Sequence, residues 1–147
     1  MPVRKVLLVV AVTLTASAAL AQQGVPGGHF IENWDADSDG AVTVAETEAK
    51  RAELFRMFDM DGDGGLDAEE YRLFDETRRA DMDANAGGAR KGPMRRVEDG
   101  LTFDYNDVDG DGLVSSAEFV GRGADWFADF DVDADGRITP ADFGPQP

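Results

Sequence analysis

The chain has 147 residues, of which 30 are Asp or Glu and 14 are Lys or Arg, so its formal net charge at pH 7 is -16. The length suits one small domain, and the negative charge argues against nucleic acids and anionic membrane surfaces as partners. With no Cys and one His, the chain cannot form disulfides, thiolate metal sites or multi-histidine metal sites. Cations are therefore the expected partners.

Residues 1–21 have the pattern of a signal peptide. Arg4 and Lys5 precede the uncharged, largely apolar stretch 6–18, and a small-x-small cleavage site follows at 19–21. The apolar stretch is shorter than the about 20 residues of a spanning helix. We therefore expect a periplasmic or secreted protein with no stable membrane anchor after cleavage. We expect residues 22–29 to be a flexible lead-in to a domain at 30–147.

Residues 35–46, here called loop one, are the first copy of a repeated acidic pattern. Asp stands at positions 1, 3 and 5, Gly at position 6 and Glu at position 12, as in D-x-[DN]-x-[DN]-G-x5-E. A hard cation such as Ca²⁺ prefers six to eight oxygen ligands. Alternating carboxylates, a Gly that permits a sharp turn and a closing carboxylate allow one short segment to surround such an ion.

The pattern recurs in loop two (59–70), loop three (107–118) and loop four (131–142), where Asp142 replaces the closing Glu. The loop starts are separated by 24, 48 and 24 residues, which predicts a further repeat at 83–94. That repeat is degenerate, because it has Gly at position 5, Arg at position 8 and Met at position 12. We therefore expect five repeats, four of which bind metal.

Apolar residues flank the loops at helical spacing. The residues four and one before each intact loop are Ile31 and Trp34, Phe55 and Phe58, Phe103 and Asn106, and Phe127 and Phe130. Tyr71, Phe119 and Phe143 directly follow position 12. This spacing predicts one apolar face of a helix, so we expect these residues in the core. Asn106 is an exception that the sequence does not explain.

Twelve residues separate loop one from loop two (47–58) and loop three from loop four (119–130). One helix must therefore serve two loops, or break between them. The first segment has neither Gly nor Pro, which predicts a continuous helix, whereas Gly121 and Gly123 could bend the second. The sequence does not determine which loops pair.

The four loops and their flanks resemble the EF-hand family of calcium-binding proteins over most of residues 30–143. The resemblance implies an all-α fold of helix-loop-helix repeats, in which position 8 of each loop (Val42, Leu66, Val114, Ile138) lies in a short strand that pairs two loops. It implies up to four Ca²⁺ ions, bound by side chains at positions 1, 3, 5, 9 and 12 and by the carbonyl at position 7. The implied ligands are Asp35, Asp37, Asp39, Ala41, Thr43 and Glu46; Asp59, Asp61, Asp63, Gly65, Asp67 and Glu70; Asp107, Asp109, Asp111, Leu113, Ser115 and Glu118; and Asp131, Asp133, Asp135, Arg137, Thr139 and Asp142.

The four sites are not expected to be equal, because affinity in such loops follows ligand charge and rigidity. Loop two has a fifth carboxylate, Asp67, and we expect it to bind Ca²⁺ most tightly. Asp142 is one methylene shorter than Glu, so we expect it to coordinate through one oxygen. Loop four should then bind Ca²⁺ least tightly and accept Mg²⁺, which needs fewer ligands.

The short inter-loop segments and the expected export also resemble the lanmodulins, periplasmic EF-hand proteins that prefer lanthanides. That resemblance implies a lanthanide-selective alternative. Lanmodulin loops carry Pro at position 2 and usually Asp at position 9. Here position 2 is Ala, Met or Val, and Asp67 is the one Asp at position 9.

No catalytic arrangement is apparent, because His29 is alone, no phosphate-binding loop occurs and nearly every acidic cluster belongs to a loop. We therefore expect a non-catalytic Ca²⁺ buffer, sensor or metal-stabilised adaptor, whose protein target the sequence does not identify. The segment 77–96 carries six basic residues. We expect these residues to compensate the acidic loops rather than to dock an anionic partner.

Overall fold

A computed structural model of the chain describes residues 25–85 and 93–144. In chain order, its elements are α1 (Gly28–Trp34), α2 (Val44–Phe58), β1 (Gly65–Leu66), α3 (Ala68–Asn85), α4 (Pro93–Asp99), α5 (Phe103–Asn106), β2 (Val114–Ser115), α6 (Ser116–Phe130) and a C-terminal 3-10 helix (Pro140–Phe143). The predicted all-α fold with short pairing strands is confirmed. The expected signal peptide lies outside the described residues.

One helix joins loop one to loop two, and another joins loop three to loop four. α2 begins after Thr43 and α6 after Ser115, each with a capping box in which the hydroxyl accepts from the amide of position 12 and the position 12 carboxylate accepts from the cap amide. Each helix ends directly before the next loop, and position 1 of that loop, Asp59 or Asp131, is its C-cap residue. The predicted continuous helix over 47–58 is confirmed.

α6 also runs without a break through Gly121 and Gly123, where the sequence had suggested a bend. The reason lies in the packing of α6 on α2. A Cβ at Gly123 would lie 3.1 Å from the Cδ of Arg51, whereas nothing lies within 4 Å of one at Gly121. Gly123 therefore permits close approach of the two helices rather than a change of direction.

The intact loops associate in two pairs. β1 and β2 are antiparallel, with Leu66 opposite Val114, so loop two pairs with loop three. Val42 and Ile138 form an isolated antiparallel bridge, so loop one pairs with loop four. All four of these position 8 side chains are at most 1 % exposed. They connect the paired loops to the hydrophobic core, as the family resemblance implies.

The predicted flanking residues lie in the core, except Phe103, which is partly buried and packs against the core. Phe30 and Trp34 of α1 pack with Trp126 and Phe130 of α6, with ring centroids between 4.7 and 5.8 Å apart. A second group, Tyr71, Phe74, Phe103 and Phe119, packs edge-on with centroids 5.1 to 6.4 Å apart. Asn106 is also fully buried.

The structured part begins earlier than the expected lead-in allows. Gly28 and His29 belong to α1, and the imidazole Nε2 lies 2.8 Å from Asp81 Oδ2. Gly27 has a φ of +72°, and a Cβ there would overlap the Phe143 ring. The end of the lead-in therefore packs against the C-terminal helix.

The degenerate repeat has lost its loop geometry where the structure describes it. Its first and third positions, Asp83 and Asn85, lie within α3, and Met94 lies in α4. Residues 86–92 lie outside the described residues.

The described arginines of the basic segment contact acidic or carbonyl groups. Arg78 lies 3.0 Å and Arg79 3.6 Å from carboxylate oxygens of Asp75, and Arg95 lies 3.8 Å from Asp99. Over residues 25–85 and 93–144, none of the helices combines the length and the apolar character that crossing a membrane requires.

Candidate metal centres

Each intact loop brings three carboxylates together. The groups are Asp35, Asp37 and Asp39; Asp59, Asp61 and Glu70; Asp107, Asp109 and Glu118; and Asp131, Asp133 and Asp142, with one oxygen of each residue within 4.8 Å of the others. Loops two, three and four thus unite positions 1, 3 and 12, and loop one unites positions 1, 3 and 5. Mutual repulsion opposes such clusters unless a cation neutralises them.

The backbone turns in the same way in all four loops. Position 6 is Gly with φ between +83° and +92°, and position 4 also has a positive φ, at Ser38, Gly62, Gly110 and Ala134. Position 6 therefore requires the residue without a Cβ. The two left-handed turns fold the first half of each loop around the carboxylates of positions 1, 3 and 5.

Backbone amides orient the first carboxylates. The amide of position 6 donates to Oδ2 of position 1 in every loop, for example from Gly40 to Asp35 at 2.8 Å and from Gly136 to Asp131 at 2.8 Å. The amide of position 7 donates to Oδ1 of position 5 at 2.8 to 3.0 Å. The loop backbone thereby holds at least one oxygen of each carboxylate at positions 1 and 5.

Position 12 closes each loop by reaching back to its start. One carboxylate oxygen of Glu46, Glu70 and Glu118 accepts from the amides of positions 2 and 3, at 2.7 to 3.4 Å. The shorter Asp142 makes the position 2 contact as well, with Val132 N at 3.1 Å from Oδ1. It is carried on a 3-10 helix rather than an α-helix. The loop four prediction concerns affinity and stays a prediction.

The position 9 side chains cap the following helices instead of joining the clusters. Thr43, Ser115 and Thr139 each take part in a capping box with position 12. Asp67 Oδ1 accepts from the amides of Glu69 and Glu70 at 2.8 and 2.9 Å. Its charge remains next to loop two, but it is also the cap of α3.

Several implied ligands stand outside the three-carboxylate groups. Besides the position 9 residues, these are Glu46, Asp63, Asp111 and Asp135, together with the carbonyl residues Ala41, Gly65, Leu113 and Arg137. All of them are in the loop segments that enclose the clusters. Because they lie outside the three-carboxylate groups, their assignment as ligands stays a prediction.

Hydrogen bonds favour the charged form of two of the closing carboxylates, Glu46 and Glu118. Burial opposes ionisation of Glu46, but donation from Thr43 and from the amides of Ala36 and Asp37 outweighs it, so the pKa is lowered. The Ser115 hydroxyl and amide likewise lower the pKa of Glu118. These contacts favour the anionic form that a metal ligand requires.

An orphaned oxygen tests whether a cation fits. Asp59 Oδ1 is buried and has no hydrogen-bond partner among the described residues. It belongs to position 1 of loop two, beside Asp61 and Glu70. A buried carboxylate oxygen without a donor is unfavourable, and a hard cation in the cluster would satisfy it. The donor set, oxygen atoms alone, suits Ca²⁺ or Mg²⁺.

Sequence reasoning missed two basic side chains near the loops. Arg137 was considered for its carbonyl, yet its guanidinium contacts Asp39 of loop one and lowers the pKa of that carboxyl. A basic residue inside an acidic loop was the available signal. Arg51, in the middle of α2, is buried beside loop three, and no local pattern indicates that.

Comparison with known proteins agrees with this geometry. A family model described as EF hand matches residues 51–75, 100–120 and 124–144, which contain loops two, three and four. Reticulocalbin-2 of Crotalus adamanteus is 27 % identical over 129 residues, which cover 72 % of this chain and 39 % of the relative. A probable calcium-binding protein of Oryza sativa subsp. japonica, CML16, is 32 % identical over 117 residues, covering 71 % of this chain and 59 % of the relative.

The chain thus spans about two fifths and three fifths of the lengths of these curated relatives. The comparisons do not extend the likeness to the lanmodulins. Four loops with one backbone course, two loop pairs and the family match lead to the same assignment, and the chain belongs to the EF-hand family.

Proposed function

We propose that this chain is a non-catalytic Ca²⁺-binding protein with one ion in each of its four intact loops. The observation that carries the proposal is the fourfold recurrence of a three-carboxylate cluster in one backbone setting. The calcium-binding description of the rice relative supports the choice of ion. Because the chain carries a formal charge of -16, four divalent ions would also relieve self-repulsion in the folded state.

The first experiment is a chelator-buffered Ca²⁺ titration followed by far-UV circular dichroism, with calorimetry for stoichiometry. We expect helix to be gained at micromolar to millimolar free Ca²⁺ and four ions to bind. The matched control replaces Asp35, Asp59, Asp107 and Asp131 by Asn, which keeps the size of each side chain and one acceptor oxygen but removes four ligand charges. Unchanged affinity in this variant would contradict the proposal.

Repeating the titration with La³⁺ separates the alternative, a lanthanide-selective protein. Trivalent ions bind oxygen-rich loops in general, so only a response to La³⁺ without a response to Ca²⁺ favours that alternative. Mg²⁺ belongs in the same series because Asp142 supplies a shorter closing side chain.

A sensor and a buffer differ in whether metal binding changes an apolar surface. An open cavity of about 240 Å³ lies among α1, α2, α3 and α4, and its apolar lining includes Trp34, Leu54, Met57, Phe74, Met82 and Met94. Flexible Met side chains suit adaptable binding surfaces. A Ca²⁺-dependent increase in the fluorescence of an apolar dye would favour a sensor, and no change would favour a buffer or adaptor.

Export is the last part of the proposal and rests on the signal-peptide pattern of residues 1–21. Extracellular calcium concentrations would suit loops of modest affinity. Mass spectrometry of the protein recovered from cell fractions tests it, since export predicts a mature N-terminus at Gln22.

A further inference from the structure

Arg51 is a fully buried cation without an acidic partner among the residues that the structure describes. Its side chain lies between α2 and α6 and is 0 % exposed. Within residues 25–85 and 93–144, no carboxylate lies within ion-pair distance of its guanidinium. A buried charge is costly unless other groups solvate it. Burial lowers the pKa of Arg51 to about 10, so the side chain is still charged at neutral pH.

Backbone, amide and aromatic groups replace the missing carboxylate. Nε donates to the carbonyl of Phe119 at 2.5 Å, Nη2 donates to Oδ1 of Asn106, and Nη1 donates to the carbonyl of Gly100 at 3.4 Å. The guanidinium carbon lies 4.4 Å from the ring centroid of Phe119 and 5.3 Å from that of Trp126. The planar guanidinium thus donates hydrogen bonds to three acceptors and lies near the rings of two aromatic residues.

Two of these acceptors are the residues that adjoin loop three. Asn106 directly precedes Asp107 at position 1, and Phe119 directly follows Glu118 at position 12. Asp107 and Glu118 belong to the same carboxylate cluster. One guanidinium on another helix therefore holds both ends of the loop.

We infer that Arg51 is a positioning residue for loop three, which sets the separation of its first and last ligands by clamping Asn106 and Phe119. This inference rests on the proposed Ca²⁺ binding and adds a residue outside the loop to that site. It also explains the polar residue in an otherwise apolar stripe. The other intact loops have Trp34, Phe58 and Phe130 at the position of Asn106, so the clamp is specific to loop three.

A second set of contacts fixes the orientation of Asn106. Its Nδ2 donates to the carbonyl of Thr102 at 2.8 Å and to Tyr71 Oη at 2.9 Å, and that hydroxyl donates to the carbonyl of Leu101 at 2.9 Å. Oδ1 is thereby directed at Arg51. Removing the Arg51 guanidinium leaves Asn106 Oδ1 without its buried donor, and removing the Asn106 side chain leaves Arg51 Nη2 without its buried acceptor.

The test is a Ca²⁺ titration of the full chain in which each loop is followed by the NMR signal of its position 6 glycine: Gly40, Gly64, Gly112 and Gly136. Mutation of a group that positions a metal ligand typically lowers metal affinity by about 10- to 100-fold. We expect Arg51→Met to lower the affinity of loop three by that amount while loops one and four change by less than about twofold. Arg51→Lys keeps the charge but not the fork, so it should restore only part of the affinity.

Asn106→Ala removes one arm of the clamp and leaves Arg51 in place. It should cause a loss at loop three that does not add to that of Arg51→Met in the double variant, and it keeps the test decisive if Arg51→Met does not fold. Equal losses at all four loops, or no loss at loop three, would overturn the clamp. A wild-type chain that binds no Ca²⁺ would instead overturn the proposed function.

Discussion

Arg137 of loop four contacts Asp39 of loop one, with 2.6 Å between Nη2 and Oδ2. Asp39 is position 5 of its loop, and the carbonyl of Arg137 is the implied position 7 ligand of loop four. The bridge between Val42 and Ile138 brings the two loops side by side. A cation that enters loop one must therefore compete with a guanidinium for Asp39, one of the implied ligands.

Replacing Arg137 by Ala should tighten Ca²⁺ binding at loop one by about two- to fivefold, the range expected for an exposed ion pair. The backbone carbonyl of residue 137 remains in the Ala variant, so loop four keeps that implied ligand. The Gly40 amide signal during a Ca²⁺ titration measures the effect. Arg137→Lys, which keeps the charge, is the control and should change the affinity less. Weaker binding at loop one in the Ala variant would show that the arginine supports the site.

The loop pairs predict which sites depend on each other. Asp37→Asn removes a ligand charge from loop one without touching a helix, and it should lower the affinity of loop four by about fivefold or more. Loops two and three should change by less than about twofold. Asp109→Asn in loop three is the matched control and should affect loop two instead. Equal effects on all sites in site-resolved titrations would contradict paired coupling.

Asp67 has two roles that substitution can separate. Its charge belongs to loop two, and its Oδ1 caps α3. Asp67→Asn keeps a good cap and removes the charge, whereas Asp67→Ala removes both. If the charge makes loop two the tightest site, both variants should lower the Ca²⁺ affinity of loop two, as measured by the Gly64 amide signal. Only Asp67→Ala should also lower the melting temperature. An Asn variant with wild-type affinity would refute the ranking.

Gly121 and Gly123 should respond oppositely to Ala in thermal unfolding with Ca²⁺ present. Gly121 is exposed in α6 with nothing near its missing Cβ, so Ala should raise the free energy of unfolding by about 0.5–1 kcal/mol. At Gly123 a Cβ would lie 3.1 Å from Arg51 Cδ, so the same change should bring no gain. Stabilisation at both positions would mean that α2 and α6 pack less tightly than described.

The loops, the continuous helix over 47–58 and the aromatic core could be predicted because their determinants are local. Position 6 needs Gly for its positive φ, and apolar residues at helical spacing face one side. Whether Gly123 bends α6 or lets α2 pack closely against it could not be predicted in this way. A glycine that bends a helix and one that admits a neighbouring helix are the same in sequence, and only the position of α2 distinguishes them.

The sequence by itself determined the family, the four clusters and the residues that enclose each of them, because every cluster is built within twelve contiguous residues. Only the tertiary structure showed which loops pair, that the buried Asn106 is an acceptor for Arg51, and that Arg137 contacts Asp39. Arg51 and Asn106 are 55 residues apart, and Arg137 and Asp39 are 98 apart. Contacts over such separations depend on how the helices pack, and no local pattern of residues encodes them.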